Sequence, residues 1–200
     1  MDFSKLSEAQ LWKKIAQGDD AAFEFAYEKF SDGLFRYGQK ITKDRELIED
    51  TIHDVFLLLW ENRKTVTIFN SLKFYLLKSF KRALIRKINE TRETRPSTSQ
   101  EPDRIWESSI QELLLENQII LESNENVKNA INNLSARQRE AVFLRYMEGL
   151  PYEEVARLMD MQVSSLYNLV QKALKNLGEF LVNKQTYIKS FLILIYWSSR

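Results

Sequence analysis

The sequence lacks cysteine altogether and has only one histidine, His53, with three prolines and five glycines. Without cysteine, neither a disulfide framework nor a thiolate-held metal can form. A single histidine leaves no second imidazole for a zinc site and argues against a catalytic triad or a proton relay. A glycine-rich phosphate loop is missing too. We therefore expect no catalysis, no metal, no cofactor and no small-molecule substrate.

Long apolar runs are also scarce. The first ten residues, MDFSKLSEAQ, lack the basic and apolar stretches of a secretion signal. The run FLILIYW in the tail 183–200 is shorter than the about 20 residues that cross a bilayer. The cytoplasm is therefore the expected compartment. We expect the tail to pack on one of the lobes. The alternatives are that it binds in a hydrophobic groove of a partner or contacts the membrane surface.

Net charge is small, but the two signs are separated along the chain. The 29 basic and 28 acidic residues give a net charge of +1. Residues 1–62 carry −5, residues 63–95 carry +8 and residues 96–135 carry −5, whereas 136–182 are balanced and 183–200 carry +3. A basic block of this kind indicates a nucleic-acid partner, and the acidic blocks indicate protein contacts.

Helical spacing of apolar residues dominates both halves of the chain. It covers roughly 5–17, 20–40, 44–62 and 70–90, and then 125–133, 136–147, 152–159 and 163–182. Between the halves, RETRPSTSQEPDR has the composition of a linker, and a linker helix over 108–122 can follow it. Only the short run TVTIF alternates like a strand. We predict an all-α chain of two helical lobes joined by an acidic linker.

The second lobe ends in a helix, a tight turn and a helix. Ser135 with Gln138 forms a capping-box signature, Gly149 is a plausible helix stop, and Pro151 suits the first turn of the next helix. Val155, Leu158 and Met159 give that helix one buried side. Asp160 lies in the turn, where a left-handed backbone is often required.

The final helix has two distinct faces. Its apolar face consists of Val163, Leu166, Val170, Ala173, Leu174 and Leu177. Its polar face consists of Ser164, Ser165, Asn168, Gln171, Lys172 and Lys175. In a helix-turn-helix, such a polar face enters the major groove and contacts base edges and phosphates. The alternative is a helical hairpin whose polar face is merely solvated.

The stretch LSARQREAVFLRYMEGLPYEEVARLMDMQVSSLYNLVQKALKNL resembles region four of the sigma-70 family, in its extracytoplasmic-function (ECF) subgroup. In that family, this lobe reads the −35 promoter element. The resemblance implies DNA contacts from Ser164, Ser165, Tyr167, Asn168, Gln171, Lys172 and Lys175. Response-regulator DNA-binding domains are similar to region four, so this lobe alone leaves the function open.

The helix predicted over 44–62 carries an unusual polar face. Ile48, Thr51, Ile52, Val55 and Leu59 point to one side of it. Asp50, His53, Asp54, Leu57 and Glu61 point to the other, with Trp60 at the margin. An exposed leucine framed by carboxylates suits the centre of a protein interface, and a solvated face with one stray leucine is the alternative.

EDTIHDVFLLLW resembles region two of the same family, which docks on the largest subunit of RNA polymerase. The resemblance implies polymerase contacts from Asp50, His53, Asp54 and Leu57. His53 stands where the family usually has glutamine. With both regions, the chain divides into region two over 5–92, a linker over 93–124, region four over 125–182 and the tail over 183–200.

The basic block contains a helix over 70–90. Leu72, Leu76, Phe80, Leu84 and Ile88 form its apolar stripe. Mixed aromatic and cationic residues lie opposite, a combination that suits single-stranded nucleic acid: Phe74, Tyr75, Lys78, Lys81, Arg82 and Arg86. The alternative is an ordinary basic helix with Phe74 and Tyr75 in the core.

In the family, this helix and the loop before it bind the −10 element, with one base flipped into a loop pocket. The matching loop here is residues 64–70, and the resemblance implies contributions from Thr65, Thr67, Phe69 and Asn70. The helix reads KSFKRALIRK where the family often has an Asn-x-x-x-Asp run, which leaves the individual −10 contacts open.

The resemblance identifies the chain as an ECF-type sigma factor. Its expected partners are core RNA polymerase, promoter DNA and an anti-sigma factor, which is often membrane-anchored in this family. The linker then threads the polymerase cleft, with a solubilising spacer as the alternative. Two other functions stay open: a stand-alone helix-turn-helix transcriptional regulator, and a helical adaptor that binds only protein.

Overall fold

The computed structural model describes residues 2–68, 71–94, 131 and 133–182. Helices in these residues are α1 (Glu8–Ala16), α2 (Asp20–Gln39), α3 (Arg45–Glu61), α4 (Leu72–Thr94), α5 (Ala136–Val142), α6 (Tyr152–Leu158) and α7 (Val163–Val182). A 3-10 turn spans Phe3–Lys5, and a π-helical turn spans Phe143–Met147.

The predicted all-α class is confirmed for the part of the chain that the structure describes. The strand-like run TVTIF forms no strand over its described residues 65–68. The chain separates into two compact units, one on each side of the boundary between residues 99 and 100. The predicted linker helix over 108–122 lies outside the described residues, as does nearly all of the helix predicted over 125–133.

Side-chain caps set where the helices of the first unit begin. Ser7 and Gln10 form a capping box: the Ser7 hydroxyl accepts from the Gln10 amide at 3.2 Å, and the Gln10 side-chain carbonyl accepts from the Ser7 amide at 2.9 Å. Asp19 and Asp44 cap α2 and α3 by accepting backbone N–H bonds, each at 3.0 Å. Because these caps satisfy donors that a helix leaves unpaired, α1 begins at Glu8 rather than near residue 5.

The core of the first unit lies among α2, α3 and α4. The face predicted for α3 is buried as expected, and so are Leu72, Leu76, Phe80 and Leu84 of α4. The α4 residue Ile88 is half-buried. Gly38 of α2 lies where these helices come closest, and the amino end of α4 is tied to α1, because the Glu8 carboxylate accepts the Lys73 amide at 2.9 Å.

The second unit begins with the predicted capping box. The Ser135 hydroxyl accepts from the Gln138 amide at 3.3 Å, and the Gln138 side chain accepts from the Ser135 amide at 3.0 Å. Gly149, with φ of 69°, follows the π-helical turn and confirms the predicted stop. Pro151 is one residue earlier than predicted, at the N-cap of α6 rather than in its first turn.

Helices α6 and α7 make the predicted helix-turn-helix outline. Val155, Leu158 and Met159 are buried on α6, and Asp160 has a left-handed backbone with φ of 50°. On α7 the buried residues are Leu166, Val170, Ala173 and Leu177, with Leu174 half-buried. The prediction is wrong for Val163, which is 43% exposed, because α7 begins there and its first residue extends past the residues that cover the rest of the stripe.

Candidate functional site

The face of α3 that turns away from the core carries the predicted interface residues. Asp50 and His53 are exposed, Leu57 is 48% exposed, and Asp54 is half-buried. Leu58, which the sequence interpretation did not include, is 51% exposed. Two adjacent leucines and several polar side chains thus share this surface, here named the α3 face.

Asp54, one of the predicted interface residues, has a close cationic partner on another helix. Its carboxylate lies 2.6 Å from the Nζ of Lys87 on α4. The pair is partly screened from water, since the Lys87 side chain is only 23% exposed and that of Asp54 is 50% exposed. No sequence signal predicts this contact, because it depends on how α4 packs against α3. Lys87 therefore belongs to the edge of the α3 face.

The chain leaves α3 through an aromatic anchor. The Trp60 ring lies 4.9 Å from the Phe23 ring and 4.1 Å from the Arg63 guanidinium, measured between centres. Arg63 also donates to the Trp60 carbonyl at 2.6 Å. These contacts fix the start of the loop 64–70. Within that loop Thr65 and Thr67 are exposed, and the predicted contributors Phe69 and Asn70 lie outside the described residues.

The predicted aromatic and basic face of α4 is accessible along its length. Phe74, Tyr75, Lys78 and Lys81 are half-buried, whereas Arg82 and Arg86 are exposed. The Lys78 ammonium lies 5.8 Å from the centre of the Phe74 ring, so a ring and a cation occupy one patch. Phe74 and Tyr75 are both half-buried, so neither residue is fully in the core and neither is fully exposed.

Every predicted DNA-binding residue of α7 is exposed. The set is Ser164, Ser165, Tyr167, Asn168, Gln171, Lys172 and Lys175. Of these, Lys175 is 3.7 Å from Glu179 on the same helix. The structure thus brings the seven side chains onto one solvent-facing surface, named here the α7 face. Their arrangement fits a surface that contacts phosphates and base edges.

A tyrosine cluster supports the α7 face from α6 and the π-helical turn. The Tyr152 ring lies 5.5 Å from the Tyr167 ring, and the Arg145 guanidinium lies 5.1 Å from the Tyr152 ring. Burial, together with a hydrogen bond to Tyr152, raises the pKa of Tyr146 to about 12. Tyr146 is therefore an uncharged phenol at neutral pH. Sequence periodicity did not reveal this cluster, because a π-helical turn shifts the register of Arg145 and Tyr146.

The residues that the structure describes hold neither a metal site nor a membrane span. No group of three or more histidine, aspartate or glutamate side chains there is placed to hold a metal ion. In the same residues, no helix has the length and apolar character needed to cross a membrane.

The chain is similar to a known family over part of its length and to known proteins over most of it. Residues 124–177 match the family described as Sigma-70, region 4. The ECF RNA polymerase sigma factor SigK of Mycobacterium sp. (strain JLS) is 22% identical over 172 residues, covering 84% of this chain and 86% of the relative. BldN of Streptomyces coelicolor, another ECF sigma factor, is 25% identical over 181 residues and covers 86% of this chain.

The chain thus matches region 4 of the sigma-70 family over residues 124–177 and is similar to ECF sigma factors over most of its length. Two solved structures have a similar fold. CnrH, in complex with the cytosolic domain of CnrY, has a TM-score of 0.56 at 14% identity, and the similarity covers 90% of this chain and 99% of CnrH. The sigma factor RpoE from Bartonella quintana, in complex with the anti-sigma factor NepR, has a TM-score of 0.52 at 17% identity and covers 80% of this chain.

Proposed function

We propose that this chain is a sigma factor that directs core RNA polymerase to promoters and catalyses nothing itself. The observation that carries the proposal is the extent of the similarity: matches to ECF sigma factors span 84–86% of the chain, not the helix-turn-helix alone. A stand-alone regulator would bind DNA through the second unit and sense a ligand or partner with the first, which leaves the α3 face unexplained. The polymerase supplies the chemistry of transcription.

The α3 face is the proposed polymerase contact. Leu57 supplies an apolar centre, while Asp50, His53 and Asp54 supply a polar rim, which is the usual arrangement of an interface that forms and dissociates. The rim carries carboxylates, so the complementary surface on the polymerase is basic. Asp54 reaches that surface already paired with Lys87, so Asp50 is the better position at which to test the charge of the rim.

The loop 64–70 and α4 are the proposed −10 contact. Exposed Arg82 and Arg86 track phosphates, while Phe74 and Tyr75 offer rings on which unpaired bases stack. Extracting a base from the duplex costs a few kcal/mol, which these contacts must repay. The Arg63–Trp60 anchor holds one end of the loop and so lowers the entropy lost when the loop closes on a base.

The α7 face is the proposed −35 contact, read in the major groove by the amino-terminal half of α7. We assign the protein to the cytoplasm, where its polymerase works, and assign it an anti-sigma factor as a further partner. RpoE, whose fold is similar to that of this chain, was solved in complex with the anti-sigma factor NepR, and that complex supports such a partner.

Affinity for core polymerase tests the proposed docking face directly. In a titration of labelled chain with core enzyme, Asp50→Lys should weaken binding about tenfold or more, because it places a cation against a basic surface. Asp32→Lys is the matched control, an identical charge reversal at an exposed position on α2. Asp54→Lys is avoided because it sets two cations side by side with Lys87. Equal affinities for the Asp50 and Asp32 variants would overturn the docking face.

A further inference from the structure

Val163 is an apolar residue at a position where the fold does not bury its side chain. It is the first residue of α7 and is 43% exposed, whereas Leu166, Val170, Ala173 and Leu177 of the same apolar series are buried. Valine also favours a helix less than most residues, because its branched side chain loses rotamer freedom there. Neither packing nor helix propensity therefore explains a valine at this position.

Tyr167 extends this exposed apolar edge. It lies four residues after Val163, so the two side chains share one side of the helix, and Tyr167 is 51% exposed. Its ring is supported by the ring of Tyr152 at 5.5 Å. The edge runs directly beside Ser164 and Asn168 of the α7 face, so the same partner must cover both.

The amino-terminal half of α7 is also free of charge. Residues 163–171 contain no acidic or basic residue, and the first cation on the helix is Lys172. In a helix-turn-helix, this is the part of the second helix that contacts base edges. Guanine is usually read by a bidentate arginine or lysine, which this part of the helix lacks. The apolar group that the major groove does offer is the C5-methyl of thymine.

We propose that Val163, with Tyr167 beside it, contacts the C5-methyl of thymine in the −35 element and so determines specificity there. This inference rests on the proposed function, because it places the α7 face against the −35 duplex. It adds that the element is selected for thymine at the base pair facing Val163, through an apolar contact, and not for guanine through charge.

The test uses the full chain bound to core polymerase. The complex first selects its preferred sequences from a duplex library randomised across the promoter region. Each thymine of the selected −35 element is then replaced singly by deoxyuridine, which lacks only the C5-methyl. At one or more thymines, the loss of the methyl should weaken wild-type binding about fourfold, as expected for one buried methyl group. The readout is the affinity for the thymine-containing duplex divided by the affinity for the deoxyuridine-containing duplex.

Matched variants test whether Val163 is the residue responsible for the thymine-to-deoxyuridine ratio. Val163→Ala should bring the thymine-to-deoxyuridine ratio to about one, whereas Val163→Thr, which keeps one methyl, should retain most of it. Met147→Ala, which removes an apolar side chain that is 52% exposed elsewhere in the unit, should leave the ratio near fourfold. A ratio near one for the wild type, a fourfold ratio that persists in Val163→Ala, or a selected element without thymine would each overturn the inference. Failure of the complex to select any sequence would overturn the proposed function with it.

Discussion

Asp160 adopts a left-handed backbone, with φ of 50°, in the turn that joins α6 to α7. Such a backbone brings the Cβ of an L-residue close to the following carbonyl, at a cost of about 1–2 kcal/mol that aspartate bears better than most residues. The turn sets the angle at which α7 leaves α6, so this one residue affects the geometry of the whole α7 face. Gly149, with φ of 69°, holds the same conformation before α6.

Substitutions at these two positions should separate backbone strain from packing. Asp160→Val should destabilise the second unit by about 1–2 kcal/mol, because a branched side chain is strained in this conformation. Asp160→Gly should not destabilise it.

Gly149→Ala should destabilise the second unit by about 1 kcal/mol through the backbone alone, since nothing lies within 4 Å of the added Cβ. Hydrogen exchange of the α7 amides measures these changes, and faster exchange in Asp160→Gly than in Asp160→Val would contradict the assignment.

At the scale of elements, the close packing of α2, α3 and α4 depends on Gly38. A Cβ at this position would meet the Ile48 Cγ2 at 2.8 Å and the Phe80 Cζ at 2.9 Å. These contacts are shorter than atoms tolerate, so a side chain here must displace Ile48 of α3 and Phe80 of α4 from their packed positions. The three helices carry the α3 face, the loop 64–70 and the basic face of α4, so their spacing positions two proposed interfaces.

Gly38→Ala should therefore destabilise the first unit by about 1–3 kcal/mol, the usual cost of overpacking a core. Gly178→Ala is the control: its added Cβ meets nothing within 4 Å, and alanine favours a helix by about 1 kcal/mol over glycine. Urea unfolding followed by circular dichroism should show a lower midpoint for the first variant and no loss for the second. An unchanged midpoint in Gly38→Ala would show that the helices separate freely at this point.

Sequence patterns predicted the elements more fully than the contacts between them. Capping residues and apolar spacing are local, so Ser135 with Gln138 and the buried face of α3 were predicted correctly. The pairing of Asp54 with Lys87 joins two helices and could not be inferred from either one. Val163 matches the apolar spacing of α7, yet tertiary packing begins one turn later, at Leu166, and leaves Val163 exposed.

At the scale of the whole molecule, the distribution of charge fits shared DNA binding by two lobes. The basic block 63–95 carries +8, while the balanced segment 136–182 carries no net charge. Under the proposed function, most of the salt-dependent affinity for DNA phosphates should therefore come from the first lobe. Attachment to the polymerase would then raise the effective concentration of the second lobe at its proposed site, which would allow uncharged side chains of α7 to discriminate between sequences.

Initiation from a selected promoter, with purified chain and core polymerase, is the most direct measurement of the proposed function. We expect core enzyme alone to give no specific transcript, and the addition of the chain to give one whose yield falls when either the −10 or the −35 element is scrambled. Asp50→Lys should remove that transcript, and Asp32→Lys should retain it. Tight binding of the promoter by the chain alone, with no specific transcript after core polymerase is added, would contradict the sigma-factor function and favour a stand-alone regulator.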